Sequence, residues 1–499
     1  MTYLILDIGT SSIRGILYDK WGTNIHNETI HYSPTYSSDG SVTQPASVFS
    51  ELSISIIKKS VSFANNNSLE ISCLSITSQR SSLIAVANGK PLLDTIMWQD
   101  TRVSKLLDHY RDYDYLFQQI SGSILNPIYL GSKIFWVKHM SRDTYIKTDK
   151  MLNIPSYLTF LMTGEYNTDA TYASRTNLMN IHTLKWDNDL FDILGLDIDK
   201  MPKIIMPGSI CGKTTQDFQK LTGLKHGTPV VSAGGDQQCA SLGSGLVLND
   251  EVSVNTGTGG YLIKNLDKLP EILNKNIIYN VSAIPNKYIL EIDLVACSSI
   301  LNWFIKNFYT NEYDKYGKVN EDLDSVYGKP ILMSVLPFHK GKSIGETDNS
   351  IRAGFTNIGL SSSKSDMLYA LMSSLFLEIN HGLGIFKSYG KISSIKITGG
   401  LTNSKTLNQL QADSYNLEVR QAENPESTAL GSLISAAVSM KDYPSFSEAA
   451  ESIITKKLTS YFPNESNVKH LQKFNEHNKQ LYDLLKGTEA GFFKEKLYE

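Results

Sequence analysis

Four short stretches carry residues whose types and spacing suit the transfer of a charged group. The first, Asp7-Ile-Gly9-Thr10-Ser11-Ser12-Ile-Arg14, follows the apolar run Tyr3-Leu-Ile-Leu. Small residues let backbone N–H groups and hydroxyls converge on an anion, and Asp7 at the base of the turn could hold a hydrated divalent cation beside it. Taken alone, this segment reads equally well as a plain N-terminal hairpin. The second is Gly234-Gly235-Asp236-Gln237-Gln238, where an apolar strand runs into two glycines that allow close backbone approach and then into a carboxylate. Asp236 could also cap the helix expected from Cys239 onward, which accounts for the aspartate but not for the glycines. The third, Asn255-Thr256-Gly257-Thr258-Gly259-Gly260, repeats the chemistry of the first. The fourth, Thr398-Gly399-Gly400-Leu-Thr-Asn403-Ser404, feeds a strand into bare backbone and a helix start, where a flat ring could lie.

Strands and helices must present these residues together. Apolar spacing predicts a helix over 46–65, a strand over 71–77 ending in Ser78-Gln79-Arg80-Ser81, and a strand from Leu83 to Ala87 before the Asn88-Gly89 turn. Helices are expected over 133–140, 156–162 and 407–415, and a strongly amphipathic one over 366–383. Another is expected over 294–304, with Ser298 and Asn302 on one face. Glu426-Ser427-Thr428-Ala429-Leu430-Gly431 opens a small-residue helix suited to close packing, and 168–177 reads as polar and irregular. Strand ends are where open α/β sheets place ligands, so Gln79, Arg80, Trp98, Gln99, Asp100 and Arg102 form a candidate wall for something rich in hydroxyls. Singly, Trp98 reads as a core aromatic and Asp100 with Arg102 as a surface ion pair. Gly208-Ser-Ile-Cys-Gly212-Lys213-Thr214 has one residue too few between its glycines for a Walker loop and reads as a surface turn.

A chain of 499 residues exceeds one hydrophobic core, and the small-residue turns fall in opposite halves. Two α/β domains are expected, 1–246 and 247–499, with the boundary near Gly245–Asp250. A net charge of −3 gives no reason to expect nucleic acid or an anionic membrane as partner. Four scattered cysteines argue against a zinc site or a disulfide framework, and with no signal segment or bilayer-length apolar run a cytoplasmic location is expected. Lys494–Glu499 reads as a solvated end.

Two such turns, one aspartate ahead of a helix and a Gly-Gly helix start suit a nucleoside triphosphate held between domains, with Mg2+ near Asp7 and Asp236 accepting a proton from an incoming hydroxyl. The chain resembles the FGGY family of carbohydrate kinases over roughly residues 3 to 440. The resemblance is carried by Asp7–Arg14, Trp98-Gln-Asp-Thr-Arg102, Tyr157–Glu165, Gly234-Gly-Asp236, Asn255–Gly260, Arg352-Ala-Gly-Phe355 and Thr398-Gly-Gly400. It implies two actin-like (ribonuclease H-like) ATPase domains with a central cleft, ATP and Mg2+ as cofactors, a small sugar or polyol as substrate, and by analogy a homodimer. It further implies Asp236 as catalytic base, Asp7 at the metal, and Gln79, Arg80, Trp98, Asp100, Gln237 and Tyr261 at the substrate. Thr10, Ser11, Ser12, Arg14, Thr256, Gly257 and Thr258 would meet the phosphates. Ser298, Asn302, Gly399, Gly400, Asn403 and Ser404 would line the adenosine side.

Ser78-Gln79-Arg80, Trp98-Gln99-Asp100 and Asp236-Gln-Gln238 look like the glycerol-kinase branch, whereas xylulokinases usually carry Gln-Met-His-Gly at the first site. Yet Ser81 stands where glycerol kinases have Glu, Pro127-Ile128 where they have Pro-Tyr, and Thr256-Gly257 where they have Thr-Tyr-Gly. Each missing partner for a buried hydroxyl is worth roughly 1–3 kcal/mol. A pentulose such as xylulose is therefore expected ahead of glycerol, another polyol or gluconate. A reading of another class, a non-catalytic sugar sensor on a kinase fold, has no need of a base at 236, and an actin-like polymer has no need of the polar wall.

Overall fold

The computed structural model describes residues 1–422, 426–454 and 458–486; Lys494–Glu499 lies outside them. The chain forms two compact units. The first comprises Met1–Val247, Leu266–Ile289 and Asn424–Lys456, the second Leu248–Asn265, Leu290–Glu423 and Lys457–Glu499. The chain thus crosses between units more than once, where a single cut after residue 246 was expected.

The first unit is built on β1 (Thr2–Ile8), β2 (Ser12–Asp19), β3 (Asn24–His31), β4 (Ile71–Ser78), β5 (Ile210–Lys213) and β6 (Pro229–Gly235), in the order β5-β6-β4-β1-β2-β3. β1 pairs antiparallel with β2 and parallel with β4, and β4 is parallel to β6. Every residue of β1 is buried, so alternate side chains serve two cores. Leu4, Leu6 and Ile8 pack with Phe49, Ile56 and Ile57 of α1 (Ala46–Asn66). Tyr3 and Ile5 pack with Leu433 and Ile434, which explains why the segment around Ser427–Ser439 belongs to the first unit. That helix meets Asp236–Gly243 almost backbone to backbone: a Cβ on Gly431 would lie 1.9 Å from the Cys239 carbonyl oxygen.

The second unit repeats the pattern with β7 (Glu251–Thr256), β8 (Gly260–Leu266), β9 (Tyr288–Leu294), β10 (Ser394–Thr398), β11 (Glu418–Ala422) and β12 (Leu458–Tyr461), adjoining as β9-β8-β7-β10-β11-β12. β7 pairs antiparallel with β8 and parallel with β10, and β10 is parallel to β11. A hairpin, two parallel neighbours and an antiparallel edge strand occur in both sheets.

Several expectations need correction. Residues 168–177 are ordered and buried throughout, as a strand (Asn167–Asp169), a helix (Ala170–Ala173) and a 3-10 turn (Ser174–Thr176). Their polar side chains are satisfied mainly by backbone and by other segments, as in Tyr172 with Gly234, Arg175 with Tyr129 and Asn177 with Ser121 and Ser123, so hydropathy gave no signal. The 294–304 segment divides into the end of β9 and the helix Ser298–Phe308. The expected amphipathic helix spans Lys364–Lys387, and every residue from Leu368 to Leu377 is buried. It is a helix enclosed on all sides over that stretch, not one with a solvated face. Gly208–Thr214 contributes the edge strand β5.

Candidate active site

Parallel pairing aligns the chemistry of the first unit. Asp7 on β1 and Gly234 on β6 both stand opposite Thr77 on the strand between them. At the usual strand spacing their backbones are two steps apart, roughly 10 Å. Just beyond this line the three strands release Gly9–Ser12, Gln79–Arg80 and Asp236 from the same edge, the carboxyl ends where α/β sheets bind ligands.

The turn after β1 is closed by the Gly9 N–H donating to Ser12 O (2.9 Å). The Tyr32 hydroxyl and the Gln79 side-chain amide (3.1 Å) both donate to the Gly9 carbonyl, and the amide also donates to Tyr32 Oη (3.1 Å). Trp98 Nε1 donates to Thr10 Oγ1 (3.1 Å). Gln79 and Trp98 therefore brace the turn as well as forming wall. Ser11 is exposed and Ser12 half-buried. Arg14, opposite Asp7 in the hairpin, bonds Asp7 Oδ2 (2.5 Å) and bridges to Glu426. Burial pushes the Asp7 carboxyl up, and the Arg14 guanidinium pulls against it.

Asp236 is the first residue of its helix. Its Oδ1 accepts the Gln237 N–H (2.8 Å), and Arg80 Nε stands 3.7 Å away. Arg80 also reaches Gln238 Oε1 (3.4 Å). Asp100 is not a surface group: it is buried, accepts the Val42 N–H (3.0 Å), and pairs with Arg102 (2.7 Å), which stacks on Trp136. Behind the wall, fully buried Lys133 donates to the carbonyls of Trp98, Pro127 and Ile128.

In the second unit, Asn255 Oδ1 accepts the Gly257 N–H (2.9 Å), shaping the turn Gly257–Gly259. The N–H groups of Cys297 and Ser298 donate to Thr258 O (2.9 Å) and Gly257 O (2.8 Å), so the helix Ser298–Phe308 begins against this turn. Thr256 is buried and donates to Thr398 O (3.0 Å). The chain after β10 passes close by: a Cβ on Gly399, whose φ is +97°, would lie 2.6 Å from the Thr256 carbonyl carbon. Thr258, Asn302, Gly399, Gly400 and Asn403 are exposed, and Ser298 and Tyr261 half-buried. Buried Ser404 caps the helix Lys405–Tyr415. The Asn302 amide oxygen accepts the Tyr316 hydroxyl (3.3 Å).

Sequence reasoning missed Tyr32, Lys133 and Glu426. Only Glu426 had a local signal, a carboxylate opening a small-residue helix.

Residues 2–243 match the model of the FGGY family of carbohydrate kinases, N-terminal domain, and residues 252–440 match its C-terminal domain. The chain belongs to the FGGY family of carbohydrate kinases. It is accordingly a phosphotransferase acting on an alcohol hydroxyl, and the fold is the two-domain actin-like one. Xylulose kinase of Bacillus subtilis (strain 168) is 26% identical over 497 residues, covering 97% of this chain and 96% of that protein. The ligand-bound xylulose kinase structure from Lactobacillus acidophilus superposes with a TM-score of 0.89 at 21% identity, covering 98% of this kinase and 99% of that chain. Plasmodium falciparum glycerol kinase with ADP gives 0.87 at 22% identity, covering 97% and 98%. Among the described residues no helix is long and apolar enough to cross a membrane.

Proposed function

We propose that this kinase transfers the γ-phosphoryl group of ATP to a hydroxyl of a pentulose such as xylulose. The observation that carries the reading is the alignment of Asp7, Gln79 and Asp236 at the ends of three adjoining parallel strands. Asp236 takes the proton as the sugar oxygen attacks phosphorus and ADP leaves. Arg80, Trp98, Gln237 and Tyr261 meet the sugar, with Gln79 and Asp100 holding the first unit's wall through Gly9 and Arg102. Thr10, Ser11, Ser12 and Arg14 from the first unit and Gly257 and Thr258 from the second take the phosphates, with Thr256 supporting the second turn. Ser298, Asn302, Gly399, Gly400 and Asn403 take the adenosine, and Ser404 caps the helix that follows Asn403. Residues 1–246 thus carry the base, most of the sugar contacts and part of the phosphate contacts, and 247–499 the rest of the nucleotide site.

Among the described residues no group of three or more His, Cys, Asp or Glu side chains is placed to hold an ion. Mg2+ on a nucleotide keeps several waters and draws ligands from the phosphates, needing one or two carboxylates, and Asp7 fits that requirement. When bound there it supplies neutralisation of phosphate charge.

The preference over glycerol rests on Ser81, which is buried and donates to Arg175 O (3.2 Å) and so offers a polyol no carboxylate. A panel of pentuloses, hexuloses, gluconate and glycerol with ATP and purified protein tests the substrate. Turnover highest with a pentulose is expected; turnover with glycerol alone would overturn the choice, and ligand binding without turnover would favour the sensor. Asp236→Asn should abolish transfer while leaving sugar-induced thermal stabilisation intact.

A further inference from the structure

The backbone that delivers Asp236 is irregular. Pairing between β6 and β4 shifts between Ser232 and Gly234, leaving a bulge, and Gly234 sits at φ +117°, a conformation that favours glycine. Bulges re-aim the residues that follow them. Without restraint, the two glycines after the bulge would let the next carboxylate swing.

Three buried hydroxyls grip those glycines. Thr77 Oγ1 and the Tyr172 hydroxyl both donate to the Gly234 carbonyl at 2.8 Å. Thr171 Oγ1 accepts the Gly235 N–H at 2.9 Å. A hydroxyl that accepts is oriented best when its own proton is held, and Thr171 Oγ1 donates to Asp169 Oδ1 (2.5 Å). Asp169 is fully buried and is held in turn by the Thr171 N–H (2.8 Å) and by the Ser232 hydroxyl on the bulged strand itself. The three hydroxyl bonds end on the two peptides ahead of Asp236, and Asp169 holds the one hydroxyl that accepts.

We propose that Thr77, Thr171 and Tyr172, with Asp169 orienting Thr171, are positioning residues that fix the aim of the Asp236 carboxylate. The inference rests on the reading of Asp236 as the base. A misaimed base slows proton acceptance without weakening sugar contacts, so the effect falls on kcat rather than KM.

The test uses the full chain with the panel substrate that gives turnover. Thr171→Val keeps the shape and removes the hydroxyl; kcat should fall at least tenfold with sugar KM changed less than threefold. Thr171→Ser, which keeps an oxygen there, should recover most of kcat. Tyr172→Phe should lower kcat in the same direction, and it stands in if the valine variant does not fold. A raised KM with unchanged kcat, full activity in both variants, or failure of serine to restore what valine loses would overturn the proposal. Asp236→Asn separates the two ideas. If it is inactive while Thr171→Val and Tyr172→Phe work normally, only the positioning set falls; if it is fully active, the base falls as well.

Discussion

The two units use one backbone device with opposite chemistry. Asp7 stands opposite Arg14 in its hairpin and beside Thr77 on the neighbouring parallel strand; Asn255 stands opposite Tyr261 and beside Thr398. The positions are equivalent, yet one pair is a carboxylate with a guanidinium and the other an amide with a phenol. The loops after the neighbouring strands diverge likewise, into Gln79-Arg80 in the first unit and Gly399-Gly400 in the second. In the first unit charged and amide side chains fill the sheet edge, whereas the second leaves backbone bare. Charge can act on a cation and a reacting hydroxyl, while bare backbone fits a flat ring and phosphate oxygens. Under the proposed function the duplication divides labour, with the base and the metal-side carboxylate in one copy and the ring-binding backbone in the other.

The sharpest way to break that comparison is Asp7→Asn, which gives the first hairpin the residue of the second. If the charge is what distinguishes them, kcat should fall about a thousandfold, roughly 4 kcal/mol of barrier, and steady-state kinetics across a Mg2+ titration would show it. Activity within threefold of the parent would erase the distinction. Gly399→Ala probes the other side. Its methyl would press on the Thr256 backbone at 2.6–2.8 Å in a left-handed conformation, whereas Gly400 has open space around it. Nucleotide KM should rise about tenfold in Gly399→Ala, an effect of roughly 1.4 kcal/mol, while sugar affinity stays constant. Gly400→Ala, measured the same way, should change neither by more than threefold; equal effects from both would remove the shape argument.

Both hairpins and the strands that lead into the small-residue turns were legible in the sequence, because apolar runs ending in small residues leave few other structures open, whereas β3, β5, β9, β11 and β12 were not read. Several features were not. The ion pair from Arg14 to Glu426 joins residues 412 positions apart, and no local pattern reports such a contact. Asp100 and Arg102 looked like a surface pair because charged neighbours normally are; only the packing of Trp136 and the Val42 N–H reveals a buried carboxylate. Thr256 and Ser404 carry hydroxyls that sequence assigns to a ligand as readily as to a carbonyl or a helix end. The 168–177 segment was unreadable for a related reason: its polar groups find their partners in distant segments, so burial leaves no apolar trace.

The last expected effect falls on stability and not on catalysis, and concerns a buried lysine in each unit. Lys133 pins the Trp98 and Pro127-Ile128 segments through their carbonyls, and Lys264 pins Asn249 and Lys391 in the second unit. Burial lowers both amines, and it carries Lys133, with partial relief from the Asp100 charge, from 10.5 to about 7. In the unfolded chain the Lys133 amine titrates near its ordinary value, so below pH 7 both states hold the proton and the penalty on folding is complete. Between about 7 and 10.5 the folded state has released that proton and the unfolded state has not, so the group's contribution to stability rises with pH. The slope from one such group is at most about 1.4 kcal/mol per pH unit. Lys133→Met removes the titration, so chemical denaturation at pH 6 and pH 9 should show the parent gaining stability relative to the variant as the pH rises. A constant difference between the two proteins across that range would mean that Lys133 keeps its charge, and that the wall behind Trp98 is held by an ammonium group rather than by a neutral amine.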